Sequence, residues 1–234
     1  MLGPAQRPTL GGEVTRAIRH AVLTGAYQPG DHLTEAEIAR EMGVSHGPVR
    51  EALRELEAED LVIIERHRGA FVRAFTAQDV REIYSFRSLL ETAMVHLTQT
   101  RVQPADLDDL QTLIDRMRVA ATASDIEALI ELDLEFHRRL CELSGHRRMY
   151  EAWLRLASPI RLFLTMAIPT YLRPEDAAES HAPIVQALRA GDAVAATRYM
   201  EQAVGDIGEQ IADAMGSATV AIPRRLESMD REAV

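Results

Sequence analysis

The chain has no lysine, so all 26 of its fixed positive side chains are arginine. It has one cysteine, Cys141, which excludes an intramolecular disulfide and fits a reducing compartment. Only 5% of its residues are aromatic, so the core must be built from aliphatic side chains and methionine. No apolar run approaches the roughly 20 residues needed to cross a bilayer. The opening stretch "MLGPAQRPTLGGE" lacks the charged-then-apolar order of a signal peptide. A cytoplasmic protein with no membrane partner is therefore expected. Proline and glycine are few, at 10 and 13, and fall between periodic segments, which favours helices. Positive charge is also short: the formal net charge is −10. Residues 1–75 hold nine Arg against eleven acids, and residues 76–234 hold seventeen against twenty-five. The acidity thus belongs mainly to the C-terminal two-thirds. Net charge governs solubility and long-range steering, so a polyanionic partner is not excluded but must be held by a few placed arginines.

What is present is periodic. Val14, Ile18 and Val22 recur every four residues and predict an amphipathic helix, closed by "TGAYQPGDHL". Thr34 and Glu37 have capping-box spacing and start a second helix, to Met42. Gly43 suits the tight turn that follows, and Ser45 is placed to cap a third helix. In that helix Val49, Ala52, Leu53 and Leu56 form the inward stripe. "LVIIE" and "AFVRAF" around "RHRG" predict a two-stranded hairpin. Three helices and a hairpin in this order make a winged helix-turn-helix. From Thr76 onward the pattern is all-helical. Helices are expected from Thr76 to about Leu97, from Pro104 to about Ala121, and from a Ser124 cap to Leu143. Others are expected over Tyr150–Tyr171, centrally placed and kinked at Pro159, and over residues 174–190 and 192–215. The expected fold is mainly α: a winged domain over residues 8–75, an antiparallel helical bundle over 76–216, and a frayed tail over 217–234.

The N-terminal turn of a recognition helix faces base edges, while flanking arginines and amides take phosphates. Here that turn holds Ser45, His46 and Gly47, with Arg50 one turn on; these four are expected to meet DNA, a solvated face being the alternative for His46 and Arg50. Arg54 is expected to be a solvated residue paired with Glu51, Glu55 or Glu57. The hairpin tip places Arg66, His67 and Arg68, with Gly69, where they could enter a minor groove or grip phosphate; solvation of the tip alone is the alternative.

The bundle carries polar groups where its periodicity wants apolar ones. Asp133 and His137 fall in the stripe of Ile126, Leu129, Ile130, Phe136 and Leu140. His181 lines up with Ile184, Val185 and Leu188, and Arg87 lies inward with Glu91 one turn away. Buried charges are costly unless paired or bound. An aspartate and two histidines from different helices suit a divalent Zn²⁺, Ni²⁺ or Mn²⁺ ion, and Arg87 could hold a ligand carboxylate. A hydrogen-bonded buried cluster, or an acid held without metal, accounts for the same residues. Arg161 is either a second anion ligand or a surface-seeking side chain. Cys141, Trp153 and Met166 read as core, and His146 as a helix cap. No catalytic residue is assigned.

"LTEAEIAREMGVSHGPVREALRELEAEDLV" followed by "RGAFV" resembles the DNA-binding domain of GntR-superfamily bacterial transcription regulators. "YSFRSLLE", "DLEFH" and "SHAPIVQALRAGD" resemble the FCD effector domain of the FadR-type branch. The resemblance spans roughly residues 12–212. It implies a homodimer on a short palindromic operator, a small organic acid as effector, often a metal in the effector domain, and more commonly repression than activation. Asp133 and His137 match the family's D-x-x-x-H and His181 its second histidine. The third family histidine falls at Ala203, with Asp206 a possible substitute. The family also usually has Arg where this chain has His46, and a second arginine where it has Ala36. A metal-dependent enzyme on the bundle is one alternative, but no motif places an independent general base. A DNA-binding protein without an effector is the other.

Overall fold

Two apolar cores, with a smaller cluster of Leu90, Met94, Cys141 and Trp153 beside the second, organise the chain, whose residues 10–168 and 172–217 are described by a computed structural model. The first core joins helix α1 (Leu10–Leu23), α2 (Glu35–Met42) and α3 (His46–Ala58) to a small sheet. Val14, Ile18 and Val22 of α1 pack against Val49, Ala52, Leu53 and Leu56 of α3, as the four-residue spacings require. Gly43 takes the left-handed turn between α2 and α3, with φ 65°.

The wing has three strands rather than two. β2 (Val62–Glu65) and β3 (Gly69–Val72) form the expected hairpin, and β1 (His32–Leu33) adds to the free edge of β3. A two-residue strand carries no period for sequence reasoning to detect. Its register is set by packing: His32 stacks on Phe71 at 4.8 Å, and its ring lies 2.5 Å from where a Cβ on Gly69 would stand. Gly69, at φ 100°, is thus required by the wing's own geometry. Thr34 and Ser45 occupy their N-cap positions, but neither hydroxyl makes a capping bond.

The second core belongs to α4 (Ala77–Thr98), α5 (Pro104–Thr122), α6 (Ile126–Leu143), α7 (Arg147–Ala167), α8 (Pro174–Glu179), α9 (Ala182–Arg189) and α10 (Ala193–Ser217). Thr76 and Asp79 close a full capping box on α4. α10 lies along α4, and a Cβ on Gly208 would stand 2.5 Å from Tyr84 Cβ, so glycine permits that approach. Three expectations are corrected here. Asp125, not Ser124, caps α6; Ser124 takes the preceding left-handed turn at φ 57°. α7 is not central: it buries Trp153, Ile160, Phe163 and Leu164 but exposes Leu154 and Met166. The helix expected over 174–190 is two, broken at Ser180–His181. Pro183 lacks the N–H that would bond back to Glu179, and its ring would clash with that carbonyl. The expected tail beyond Ser217, residues 8–9 of the first domain and Tyr171 lie outside the described residues. No described helix is long and apolar enough to cross a membrane.

Candidate functional site

The first candidate site is the exposed face of the winged domain. Ser45, His46, Gly47 and Arg50 are all exposed on the first turns of α3. Arg50 is not free. Its Nε and Nη2 donate to the two carboxylate oxygens of Glu35 at 3.2 and 2.9 Å. His46 Nδ1 lies 4.0 Å from the same carboxylate. The hydrogen bonds from Arg50, only partly opposed by desolvation, hold the Glu35 carboxyl below its ordinary range. Sequence reasoning missed Glu35, which reads there only as part of a helix start. Arg54 does not form its expected ion pairs: Glu55 accepts from Thr15, Glu57 from the Ile64 amide, and Glu51 lies against Gly11. Arg50 and Arg54 instead line a groove of about 280 Å³ with His32, Ile64 and Gly69 at the base of the wing. At the tip, Arg68 pairs with Glu65 and lies 5.6 Å over Phe71, while Arg66 and His67 are exposed.

The second candidate site is buried in the bundle. Arg87 and Glu91 of α4, Asp133 and His137 of α6, and His181 before α9 are each at most 5% exposed. Glu91 is the hub that sequence reasoning left as a neighbour of Arg87. Its Oε1 accepts from Arg87 Nε at 2.7 Å and from Trp153 Nε1 at 2.6 Å. Its Oε2 lies 2.7 Å from His137 Nδ1, a close contact that is off line for a hydrogen bond. Trp153 is therefore core and also part of the site's wall.

These contacts fix where the imidazole protons sit. His181 Nδ1 lies 2.7 Å from the Ala177 carbonyl, an attractive contact only if that nitrogen carries hydrogen. His137 Nδ1 beside the Glu91 carboxylate has the same requirement. A neutral ring placed this way turns its Nε2 lone pair inward. The two Nε2 atoms are 3.0 Å apart, and Asp133 Oδ1 lies 3.2 Å from one and 4.0 Å from the other. With both rings in that form three acceptors converge, whereas a proton on either Nε2 makes the 3.0 Å contact a hydrogen bond. Their atoms all lie within 4.8 Å of one another. Donors around one tetrahedral zinc would stand about 3.4 Å apart, from Zn–N and Zn–O lengths of about 2.1 Å. The set fits a divalent cation.

Charge points the same way. Burial alone would raise the Glu91 carboxyl, but Arg87 and His137 outweigh it and hold it at about 2. Burial is likewise overcome at Asp133, held well below the carboxylate range by its contact with His181 and by nearby positive charge. Burial pushes His137 down, towards the neutral ring, although Glu91 opposes this. Arg87 by itself balances only one of the two carboxylates. The other needs a further positive charge, from a proton on the imidazoles or a cation, and Asp133 Oδ2 has no hydrogen-bond partner.

Space limits what else can enter. The void bounded by Arg87, Asp133, His137, His181 and Ala203 measures about 10 Å³, room for an ion or a water but not an organic acid. Ser180, Ala203 and Ile207 also line an outer groove of about 220 Å³, with Arg173, Asp176, Asp206 and Gln210. Asp206 is exposed on that groove and does not join the three converging donors. Arg161 pairs with Glu131 and lines a different cavity, of about 600 Å³, between α1 and α6–α7. His146 caps α7, its Nδ1 accepting from the Met149 amide at 3.3 Å. Cys141 is a buried core thiol.

Comparison with known proteins bears on both sites. Residues 10–72 match the bacterial regulatory proteins of the gntR family, and residues 82–206 match the FCD domain. The gluconate operon transcriptional repressor of Bacillus subtilis is 28% identical over 222 residues, 91% of this chain and 90% of that one. A probable D-xylose utilization operon transcriptional repressor of Paenarthrobacter nicotinovorans is 32% identical over 186 residues, 80% of this chain and 81% of its own. Among solved structures, a putative transcriptional regulator GntR from Rhodococcus sp. RHA1 superposes with TM-score 0.73 at 29% identity, covering 87% of this chain and 98% of that one.

Proposed function

The chain belongs to the gntR family of bacterial regulatory proteins, with a C-terminal FCD domain, and from that premise we propose a repressor that binds a palindromic operator as a homodimer and senses a small carboxylate. It is a transcriptional regulator and not an enzyme. In this reading residues 8–75 hold DNA and residues 76–216 hold the effector and the dimer contact. It acts in the cytoplasm, where its DNA is. Ser45, His46, Gly47 and Arg50 read the major groove, while Arg66 and Arg68 at the wing, with Gly69 shaping the turn, hold phosphate. His46 cannot fork onto a guanine as an arginine can, so each half-site is weakly held and the two-fold pairing of half-sites matters more.

The observation that carries the effector reading is the convergence of Asp133, His137 and His181, whose ligating atoms all lie within 4.8 Å of one another in a buried void. These three residues would hold a divalent Zn²⁺, Ni²⁺ or Mn²⁺ ion, which when bound supplies a Lewis-acidic anchor for a carboxylate. Glu91 and the Ala177 carbonyl orient the two rings for that task. Arg87 stands at the edge of the same void, tied to Glu91, and adds positive potential for an incoming anion. The acid approaches from the outer groove, across Ser180 and Ala203, because the inner void is too small to receive it unaided. The two relatives are named for gluconate and D-xylose operons, so sugar acids are the first to test.

A proton shared by the two imidazoles would satisfy the same charge, so a metal titration decides between them. Calorimetry with Zn²⁺, Ni²⁺ and Mn²⁺ should give one site per chain, weakened at least a hundredfold in His137→Ala with the fold intact. Wild-type protein that takes up none of the three ions would leave the shared proton as the counter-charge.

A further inference from the structure

α7 touches both halves of the molecule through opposite faces. At 3.6 residues per turn, Ile160 and Leu164 fall about 20° to either side of Trp153, while Ser158 lies about 140° from it. The first face is in the bundle. Trp153 Nε1 donates to Glu91 Oε1 at 2.6 Å, and Leu164 lines the void at the ion-holding trio. The second face meets the winged domain. Ser158 Oγ donates to Glu59 Oε2 at 2.9 Å, and Leu162, one turn on, packs against the winged-domain core. Glu59 is the C-cap residue of α3, the recognition helix. Its carboxylate also accepts from Arg19 of α1, through Nε at 2.8 Å and through Nη2.

We propose that Ser158 and Glu59 are positioning residues through which α7 sets the recognition helix according to the state of the buried Glu91 cluster, with Trp153 as the helix's contact on the other side. This rests on the effector reading above and adds the route by which the site reaches the DNA face. A carboxylate bridging α1, the end of α3 and α7 leaves those three elements few independent positions. Residues 153 to 158 span roughly 7.5 Å at 1.5 Å per residue, and although Pro159 leaves the Arg155 carbonyl without its helix bond, the helix continues through it, so a shift of the indole is passed to the serine. A physical connection of this kind counts as coupling only if both ends bias one element, which here is the C-terminal end of α3.

Hydrogen exchange of full-length protein tests this without any ligand. Ser158→Ala should raise exchange at the amides of Leu56 to Leu61 at least threefold, and Ser158→Thr should restore it. Trp153→Phe keeps an aromatic ring but removes the indole N–H and some volume, and should raise exchange at the same amides although it touches none of them. The double variant should be no worse than the larger single effect. Leu154→Ala, on the exposed side of α7, should change nothing. Binding to the duplex that the protein selects from a random pool should shift at least threefold in the same variants. The proposal is overturned if Trp153→Phe folds with wild-type exchange over Leu56–Leu61, or if the single effects simply add. Wild type that binds no duplex would sink the regulator's DNA reading and leave the exchange result to stand by itself.

Discussion

In the proposed reading Glu35 competes with DNA for Arg50. Its carboxylate holds the guanidinium by two hydrogen bonds and lies 4.0 Å from His46, on the surface proposed to meet DNA. Glu35→Gln removes a negative charge there and weakens Arg50's attachment. Binding to duplex of arbitrary sequence, read by fluorescence anisotropy at low salt, should tighten at least threefold, and the gain should shrink as salt rises. Weaker binding in the variant would mean that Glu35 serves by orienting Arg50 and not by restraining it. Asp133, His137 and His181 were legible in the sequence because each interrupts an apolar stripe. Glu91 was not legible as the hub, since a glutamate one turn after an arginine reads equally as a surface pair. Only its contacts with Trp153, 62 positions on, and with His137 give it the central place.

Elements were legible where period and punctuation agree, and less so where packing decides. The Thr76–Asp79 box is an example of agreement: Asp79 accepts from the Thr76 amide at 2.7 Å and from its hydroxyl at 2.6 Å, and the Asp79 amide donates back at 3.2 Å. The side-chain bond from Thr76, followed by the backbone one, holds the Asp79 carboxyl below its ordinary range. The folded-state pKa is thus lower than the unfolded one. The contribution is complete above about pH 3.9 and fades as pH falls through the lower folded value. Asp79→Asn should therefore lower the melting temperature near neutral pH, and the gap to wild type should narrow in acid; a gap that widens would contradict the assignment. The Ser180–His181 break was written in Pro183, but a period that runs through 174–190 hid it. That break matters, because it sets the His181 ring against the Ala177 carbonyl and so aims Nε2 at Asp133. The Ser158–Glu59 contact had no signal: a serine in an apolar helix and a glutamate 99 residues away share no pattern.

At the scale of the molecule, acidity and DNA binding are reconciled by position. The C-terminal two-thirds carries most of the net charge of −10, while the winged domain is near balance and exposes Arg54 and Arg66 outside any ion pair. The buried trio lies behind α7, whose other face rests on the winged domain. Effector coupling of this kind usually amounts to about 1–3 kcal/mol, or roughly 5- to 150-fold in affinity. The most direct measurement is the affinity of wild type and Asp133→Ala for the selected operator duplex, alone and with Zn²⁺ plus a panel of sugar acids. In wild type at least one acid should change the dissociation constant fivefold or more. In Asp133→Ala the duplex should bind as in untreated wild type, with no response to any addition. An equal response in the variant, or none in wild type, would contradict a control site at Asp133, His137 and His181.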